Sequence, residues 1–334
     1  MAAGILPPLG IREPLYVTAL KYAGVTITKE LHAGRINTLD VEAVRKAVFG
    51  WDAAQPEHAP REQRPPLLEA RDLGYSYVSG KPILKNMRFS IEQGEMASLV
   101  GTNGAGKSTL AKVITGICKD PEGELLFKGE TMRGLTIHER SGRIGYVMQN
   151  PNQMICKAMI YDEVALGLRL RGMSEEEMKP RVEQALKICG LSPFRKWPIA
   201  ALSFGQKKRV TIASILVLDP KILILDEPTA GQDFRHYTEI MEFLVEINHL
   251  GVTVILITHD MHLMLEYTPR AVVLAGGRKI ADTAAAFVLT DPEVIAEANL
   301  KETSLFALAH MAGIDHGTQF VQGFIDYERR LKNR

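Results

Sequence analysis

Short apolar runs separated by amphipathic stretches dominate the middle of the chain. They are rich in Val, Ile and Leu, and several of the intervals between them have the apolar spacing of helices. The runs are MASLV (96–100), IGYVMQ (144–149), KILILDE (221–227), GVTVILITH (251–259) and RAVVLAGG (270–277). Runs that stay apolar at successive positions are typical of strands buried on both faces of a parallel sheet. The pattern therefore predicts a three-layer α/β core.

A mostly helical stretch interrupts this alternation between residues 150 and 205. Within it, Ser174 and Glu177 have the spacing of a capping box at the start of a helix, and Gly190 is placed to end that helix. We interpret the stretch as a helical subdomain inserted into the sheet core.

A proline-rich segment divides the chain near its start. Residues 53–66 contain four prolines among mixed charges, which is typical of a linker. Residues 1–52 are predicted to be helical, with Thr38 capping a helix that places Val41, Val44 and Val48 on one face. The main domain is expected over residues 67–289, followed by a helical tail over residues 290–334.

Charge and composition exclude several classes of partner. Forty basic residues against 39 acidic ones give a net charge of +1, so no global field would collect nucleic acid, and no nucleic-acid partner is expected. The three cysteines lie far apart, which favours a reducing compartment without disulfides. A secretory signal is not expected, and no uncharged apolar run reaches the roughly 18 to 20 residues of a membrane span. Contact with a membrane is therefore expected only through a partner.

Residues 101–109, GTNGAGKST, carry the strongest chemical signal. They fit G-x-x-x-x-G-K-[ST] between a predicted strand and a predicted helix, which is the context that this motif requires. The glycines let backbone N–H groups converge on phosphate oxygens. Lys107 would reach the β- and γ-phosphates, Ser108 would bind Mg²⁺ through its hydroxyl, and Thr109 would add a phosphate contact. The alternative is a glycine-rich turn without a ligand, which the context disfavours.

Two adjacent carboxylates end the run KILILDE, at the edge of a parallel sheet where ligands bind. Asp226 would hold Mg²⁺, directly or through water, and Glu227 would act as the general base on the attacking water. An acidic pair that caps a neighbouring helix is the alternative, and the phosphate loop upstream argues against it.

With these motifs, residues 67–289 resemble the ATP-binding subunits of ABC transporters. The resemblance implies a P-loop NTPase core with an antiparallel β subdomain and an inserted helical subdomain, and ATP hydrolysis coupled to transport. Further residues match motifs of this family. They are Tyr77 (or less favourably Tyr75) for stacking on adenine, Gln149 for sensing Mg²⁺, the signature residues Ser203, Phe204, Gly205 and Gln206, Asp233 in the loop that crosses between subunits, and the switch histidine His259. The ATP-binding residues that it implies in the phosphate loop are Gly101, Thr102, Asn103, Gly104, Ala105, Gly106, Lys107, Ser108 and Thr109.

Structural alternatives exist for three of these residues. Tyr77 could be a strand aromatic packed on the core, and Gln149 could be a turn residue before Pro151. His259 and His262 could form a metal pair at helical spacing, although no Cys or third His lies nearby in the sequence to complete such a site.

The signature LSFGQ departs from the commonest family form, LSGGQ, at Phe204. In the family, the groups corresponding to Ser203 and Gly205 reach the γ-phosphate of ATP bound to another subunit, and both are retained here. The resemblance therefore implies a second ATPase subunit, identical or related. It also implies that Phe204 affects the rate of ATP turnover and not the ability to hydrolyse ATP.

A narrower resemblance is carried by residues 149–168, QNPNQMICKAMIYDEVALGL, and by LSFGQKKRVTIASIL and AGQDFRHYTEIMEFL. These resemble energy-coupling factor (ECF) importers of vitamins and transition metals, in particular the second half of double-length ECF ATPases. The partners implied are a transmembrane coupling protein and a substrate-binding membrane subunit, at the cytoplasmic face of the membrane. The alternative is a soluble ABC ATPase in Fe–S assembly or translation.

The segment IREPLYVTALKYAGV (11–25) aligns without gaps on LKETSLFALAHMAGI (300–314) in the tail. The two share Glu, Ala and Gly at equivalent positions, the last being Gly24 and Gly313. We interpret residues 1–52 as the tail of a preceding ATPase domain, left by splitting or truncation of a tandem protein.

Overall fold

The computed structural model describes residues 12–56 and 64–332. Half of the predicted linker 53–66, residues 57–63, therefore lies outside the described residues, as do residues 1–11, 333 and 334. Two sheets and a set of helices form the described chain.

The strands are β1 Pro66–Val78, β2 Lys81–Glu92, β3 Met96–Gly101, β4 Glu122–Phe127, β5 Glu130–Thr131, β6 Ile144–Val147, β7 Ile222–Asp226, β8 Thr253–Ile257, β9 Arg270–Ala275 and β10 Arg278–Thr283. The helices are α1 Leu15–Tyr22, α2 Val41–Ala53, α3 Lys107–Ile114, α4 Ile137–Ser141, α5 Ile160–Arg169, α6 Glu175–Ile188, α7 Phe204–Leu216, α8 Phe234–His249, α9 Met261–Tyr267, α10 Ala285–Val288, α11 Pro292–Glu297, α12 Ser304–Ala312 and α13 Gly317–Lys332.

The central sheet has the strand order β10-β9-β3-β8-β7-β6, and all of its strands except the edge strand β10 run parallel. Strands β3, β7 and β8 are buried at every position, because helices or the second sheet cover both faces. All five predicted runs form strands of this sheet, and the predicted three-layer core is confirmed.

The second sheet, β2-β1-β4-β5, is antiparallel and packs on one face of the central sheet together with α3. On the opposite face, α5, α6 and α7 share a core with α8 and with β7 and β8. The helical stretch predicted between 150 and 205 is present, although α7 begins inside it and continues to Leu216. Ser174 and Glu177 form the predicted capping box.

The two ends of the described chain form a third core. Helices α1 and α2 pack against α12 and α13, and this cluster also includes residues of α9, α10 and β9. Trp51 of α2 meets the rings of Phe320 and Tyr327 edge-on, at centroid distances of 5.5 and 5.8 Å. Residues 12–53 are therefore integrated into the fold with the tail.

Helices α1 and α12 coincide in the ungapped alignment of 11–25 with 300–314, and they end in the same way. Val25 N–H donates to Leu20 C=O at 2.9 Å, and Ile314 N–H donates to Ala309 C=O at 2.9 Å. The intervening glycines, Gly24 and Gly313, have φ of 78° and 84°. Both helices thus end in the six-residue hydrogen bond around a left-handed glycine that defines a Schellman motif. The next α-helix begins at Gly317 in the tail, whereas in the N-terminal segment a 3₁₀ helix, Ile36–Thr38, comes before α2 at Val41.

The predicted cap of α2 is wrong by two residues. The Thr38 hydroxyl donates to the carbonyls of His32 and Arg35, which closes the preceding turn, and Asp40 accepts the helical N–H of Ala43 instead. Asp40 is the cap because its carboxylate is free to turn towards the first helical N–H groups. The predicted apolar face exists, with Val44 and Val48 buried.

Candidate active site

The phosphate loop joins β3 to α3 and approaches its neighbours too closely for side chains at two positions. Gly101 has φ of 144°, and a Cβ there would lie 2.0 Å from the carbonyl oxygen of Leu274. Gly106 has φ of 103°, and a Cβ there would lie 2.8 Å from Cδ2 of Leu84. Glycine is thus required at both positions, and the loop folds back over the start of α3 as the motif predicts.

Lys107 is the first residue of α3, and its side chain curls back over the loop. Its ammonium donates to the carbonyls of Gly101 at 2.8 Å and Thr102 at 3.0 Å. Burial lowers the pKa of Lys107, against the opposing pull of the carboxylates of Glu227 and Asp226. The loop therefore presents a cation opposite the acidic ends of the neighbouring strands.

Asp226 ends β7 and is held by a residue that the sequence did not single out. The Tyr146 hydroxyl, from the adjacent strand β6, donates to Oδ2 of Asp226 at 2.9 Å. Burial and the Asp226 carboxylate raise the pKa of Tyr146, so the phenol stays protonated and remains a donor. The available signal was its place in the run IGYVMQ, which ends at the same sheet edge.

Glu227 and His259 meet at the ends of neighbouring strands β7 and β8. Oε1 of Glu227 lies 2.7 Å from Nδ1 of His259, and the Glu227 N–H donates to Ile257 C=O at 2.9 Å. Glu227 has φ of 46°, which lies in the left-handed region of the backbone. A residue other than glycine adopts this region at a cost of about 1 to 3 kcal/mol. Its surroundings hold this conformation, which turns the carboxylate towards the cleft.

These groups line one open cleft of about 560 Å³. Its lining residues are Tyr77, Ile83, Asn103, Gly104, Gly106, Lys107, Ser108, Thr109, Gln149, Asp226, Glu227 and His259. The volume lies in the range of small-molecule sites. The structure thus brings together six of the nine predicted phosphate-loop residues, both carboxylates, the switch histidine, Gln149 and the predicted aromatic, whereas Gly101, Thr102 and Ala105 do not line this cleft.

Tyr77 lies at the rim of this cleft and is 54% exposed. Its hydroxyl lies 3.5 Å from Oγ1 of Thr109, and its ring meets that of Tyr75 edge-on at 5.1 Å. The alternative of a core-packed strand aromatic is therefore wrong for Tyr77, whereas Tyr75 packs against the core of the second sheet.

Gln149 is exposed, and the backbone beside it is held by a buried lysine that sequence reasoning missed. Lys208 of α7 donates from Nζ to the carbonyls of Met148 at 2.9 Å and Gln149 at 2.6 Å. Burial lowers the pKa of Lys208 to about 8, although Asp226 and Glu227 act in the opposite direction. The sequence signal for its burial was helical spacing, because Lys208 shares the buried face of α7 with Thr211 and Ile212.

The signature residues stand apart from the cleft. Ser203 caps α7 and forms a capping box with Gln206, and Phe204 beside it is 42% exposed. Asp233 likewise caps α8, accepting the N–H of His236 at 2.9 Å. None of these four side chains lines the cleft, so the described residues of this chain do not bring signature and phosphate loop together.

The alternative metal pair at His259 and His262 lacks further ligands. Within the described ranges, no three His, Cys, Asp or Glu side chains group as metal ligands. Nor does any helix among residues 12–56 and 64–332 combine the length and apolar character that crossing a membrane requires.

Two family models match the chain. Residues 84–230 match a family described as ABC transporter, and residues 3–75 match one described as ATP-binding cassette cobalt transporter. The first match contains the phosphate loop, the signature and the strand that ends in Asp226. The second contains the N-terminal segment.

Curated relatives are similar over the whole chain. A protein of Clostridium perfringens named as an ABC transporter ATP-binding protein is 54% identical over 333 residues, which are 100% of this chain and 59% of the relative. A similarly named protein of Enterococcus faecalis is 52% identical over 97% of this chain and 57% of its own length. The chain thus spans about three fifths of the length of these relatives.

Solved structures share the fold. CbiO1 from Clostridium perfringens, described as part of the ABC transporter complex CbiONQ, is 38% identical, with 74% of this chain and 99% of the other covered and a TM-score of 0.64. An ATP-binding cassette in a dimeric post-hydrolysis state bound to ADP and Pi is 30% identical, with 65% and 98% covered and a TM-score of 0.58.

Proposed function

Since the chain belongs to the ATP-binding proteins of ABC transporters, we propose that it binds and hydrolyses ATP to energise an importer of the ECF type. One observation carries the proposal. The phosphate loop, Asp226, Glu227 and His259, which are far apart in the sequence, line the same cleft of about 560 Å³. That set combines a phosphate cradle with acidic and basic groups suited to phosphoryl transfer.

In this proposal residues 101–109 bind the phosphates of ATP. The backbone N–H groups and the N-terminal end of α3 attract the negative charge, and Lys107 exchanges its loop carbonyls for phosphate oxygens. Tyr77 stacks on the adenine from the rim of the cleft. Its exposed ring and the contact of its hydroxyl with Thr109 support that role.

The cleft also fits Mg²⁺. Ser108, Gln149 and Asp226 line it and supply a hydroxyl, an amide and a carboxylate oxygen, which are the hard ligands that Mg²⁺ prefers. When bound, Mg²⁺ neutralises charge on the phosphates. Tyr146 orients the Asp226 carboxylate towards this position through its hydrogen bond.

Hydrolysis is assigned to Glu227 and His259. Glu227 accepts a proton from the attacking water as general base, and His259 fixes the orientation of its carboxylate through the 2.7 Å contact. Lys107 then faces charge that develops on the transferred phosphoryl group. Ser203, Phe204, Gly205, Gln206 and Asp233 lie outside the cleft, which suits residues that complete the site of a second ATPase subunit.

The transport role rests on the comparisons. The resemblance of residues 149–168 to ECF importers, the family described as a cobalt transporter and the likeness to CbiO1 together favour an importer of a transition metal, cobalt first, over one of a vitamin. The partners are then an ATPase subunit, a transmembrane coupling protein and a substrate-binding membrane subunit, at the cytoplasmic face of the membrane. A soluble ATPase in Fe–S assembly or translation is the alternative.

We also propose that residues 1–52 are the counterpart of a tail like that of residues 290–334. The aligned helices α1 and α12 and their shared Schellman ends support this origin.

Glu227→Gln tests the hydrolytic proposal. The amide cannot accept the proton of water, so we expect ATP turnover to fall by about 10²- to 10⁴-fold while ATP still binds and holds dimers together. Phosphate release, binding of a fluorescent ATP analogue and light scattering would measure these three quantities. Turnover at the wild-type rate would refute Glu227 as the base.

The transport role is tested by purifying the tagged chain from native membranes. Co-purification of integral membrane proteins, and loss of cobalt uptake in cells that carry only the Glu227→Gln chain, are expected. Recovery of the chain with ribosomes or Fe–S assembly proteins instead would favour the alternative.

A further inference from the structure

Arg12, in the N-terminal segment, reaches across to the domain that holds the candidate site. Its Nη2 donates to Oε2 of Glu266 at 3.1 Å, and Nη1 lies 3.8 Å from Oδ1 of Asp260. The guanidinium also lies over two rings, with Cζ 4.3 Å from the Tyr237 centroid and 5.1 Å from that of Phe234. One side chain therefore contacts both α8 and α9.

Helix α9 begins two residues after His259, and α8 begins directly after Asp233 of the proposed crossing loop. Asp260 follows His259 and caps α9, accepting the N–H of His262 at 2.9 Å and of Leu263 at 3.2 Å. Phe234 follows Asp233 and is the first residue of α8. Arg12 thus touches the residue next to the switch histidine and the residue next to the crossing loop.

The contact is largely desolvated. The side chains of Arg12 and Glu266 are only 18% and 16% exposed. Such charged pairs lose more when one partner is removed than exposed pairs do, because the remaining charge stays buried. The planar guanidinium is also suited to stacking on aromatic rings, which an ammonium does less well.

We propose that Arg12 is a positioning residue that ties the N-terminal segment to the switch loop and the crossing loop, so that this segment sets the geometry of His259 and Asp233. The inference rests on the proposed ATPase function. In it, the segment is a working part of the catalytic domain: a displacement of residues 12–53 moves the start of α9 and α8, and with them the two loops.

Arg12→Met tests the proposal, with Arg35→Met as the matched control. Arg35 is an exposed arginine of the same segment. We expect kcat for ATP hydrolysis to fall about tenfold or more for Arg12→Met, with the KM for ATP nearly unchanged, because misplacement of a catalytic loop by about 1 Å costs up to about 10²-fold. Arg12→Lys should recover part of the loss, since it keeps the charge but not the stacking.

Two further measurements separate positioning from folding. Thermal unfolding identifies a variant that merely fails to fold, and Glu266→Gln, which keeps the side-chain volume, replaces Arg12→Met in that case and should lower kcat in the same direction. Hydrogen exchange without nucleotide should increase at residues 258–262 and 233–237 in Arg12→Met but not in Arg35→Met.

The outcomes distinguish this inference from the function on which it rests. Wild-type protein that does not hydrolyse ATP, alone or with its co-purified subunits, would contradict the ATPase function, and the exchange measurement would still decide whether Arg12 holds the loops. Active wild type with unchanged kcat and unchanged exchange in Arg12→Met would overturn the inference alone.

Discussion

Replacing the buried Lys208 should change how stability depends on pH. Lys208 is about 1% exposed, and its ammonium donates to the carbonyls of Met148 and Gln149. Burial lowers its pKa from the ordinary 10.5 to about 8 in the folded protein. Between pH 8 and pH 10.5 the unfolded chain therefore binds more protons at this residue than the folded chain, and the free energy of unfolding rises with pH across this window.

The size of the effect follows from the shift of the pKa. Each unit corresponds to about 1.36 kcal/mol, so the shift amounts to about 3 kcal/mol. Below pH 8 the folded protein carries the full cost of burying the ammonium, and above pH 10.5 that cost is gone. In Lys208→Met the free energy of unfolding lacks this pH-dependent cost, because the methionine side chain does not titrate.

Urea unfolding of wild type and Lys208→Met at a series of pH values would measure this contribution. We expect the difference in free energy of unfolding, wild type minus variant, to increase by about 3 kcal/mol from pH 7 to pH 10.5. Other titrating groups are the same in both proteins, so their contributions cancel in this difference. Lys187→Met, at an exposed position of α6, is the control and should follow the wild-type curve. Parallel curves for wild type and Lys208→Met would refute the burial of a charged lysine beneath Gln149.

Two other predictions concern the shared core and the phosphate loop. Leu20→Ala should lower the free energy of unfolding by about 2 to 5 kcal/mol, because Leu20 is fully buried against the tail. The control Leu170→Ala, at a residue 75% exposed, should change it by about 0.5 kcal/mol or less. Chemical denaturation would measure both free energies. Gly101→Ala should abolish binding of a fluorescent ATP analogue because its Cβ would lie 2.0 Å from the Leu274 carbonyl oxygen, while Gly34→Ala, with no atom within 4 Å of the added Cβ, should bind normally; retained affinity in Gly101→Ala would contradict the loop geometry.

Local pattern predicted the central sheet well because its strands are buried on both faces. A run such as KILILDE is apolar at every position that the sheet covers, so the sequence itself records the burial. The positive φ angles of Gly101 and Gly106 are a local property of the phosphate loop, which its motif records, whereas the neighbours that crowd these glycines, Leu274 and Leu84, lie outside the loop.

Long-range contacts carried no comparable signal. The Lys208 ammonium is satisfied by carbonyls that precede it by about 60 residues, and a single lysine in a helix ordinarily indicates solvent. The packing of α1 on α12 and the reach of Arg12 to α9 depend on how the ends of the chain meet. The prediction of the α2 cap failed for a local reason. Thr38 and Asp40 are both good capping residues, and only the preceding turn decides between them.

The shared core of α1, α2, α12 and α13 has a consequence for synthesis on the ribosome. Helix α1 is made before the catalytic domain, but the helix that covers its apolar face, α12, is made only after that domain. At about 5 to 20 residues per second, that face waits roughly 15 to 60 s for its partner. During this interval Leu15, Val17 and Leu20 are available to chaperones or to other apolar surfaces. We therefore expect nascent chains stalled before residue 304 to bind chaperones, and chains that include α12 and α13 to release them.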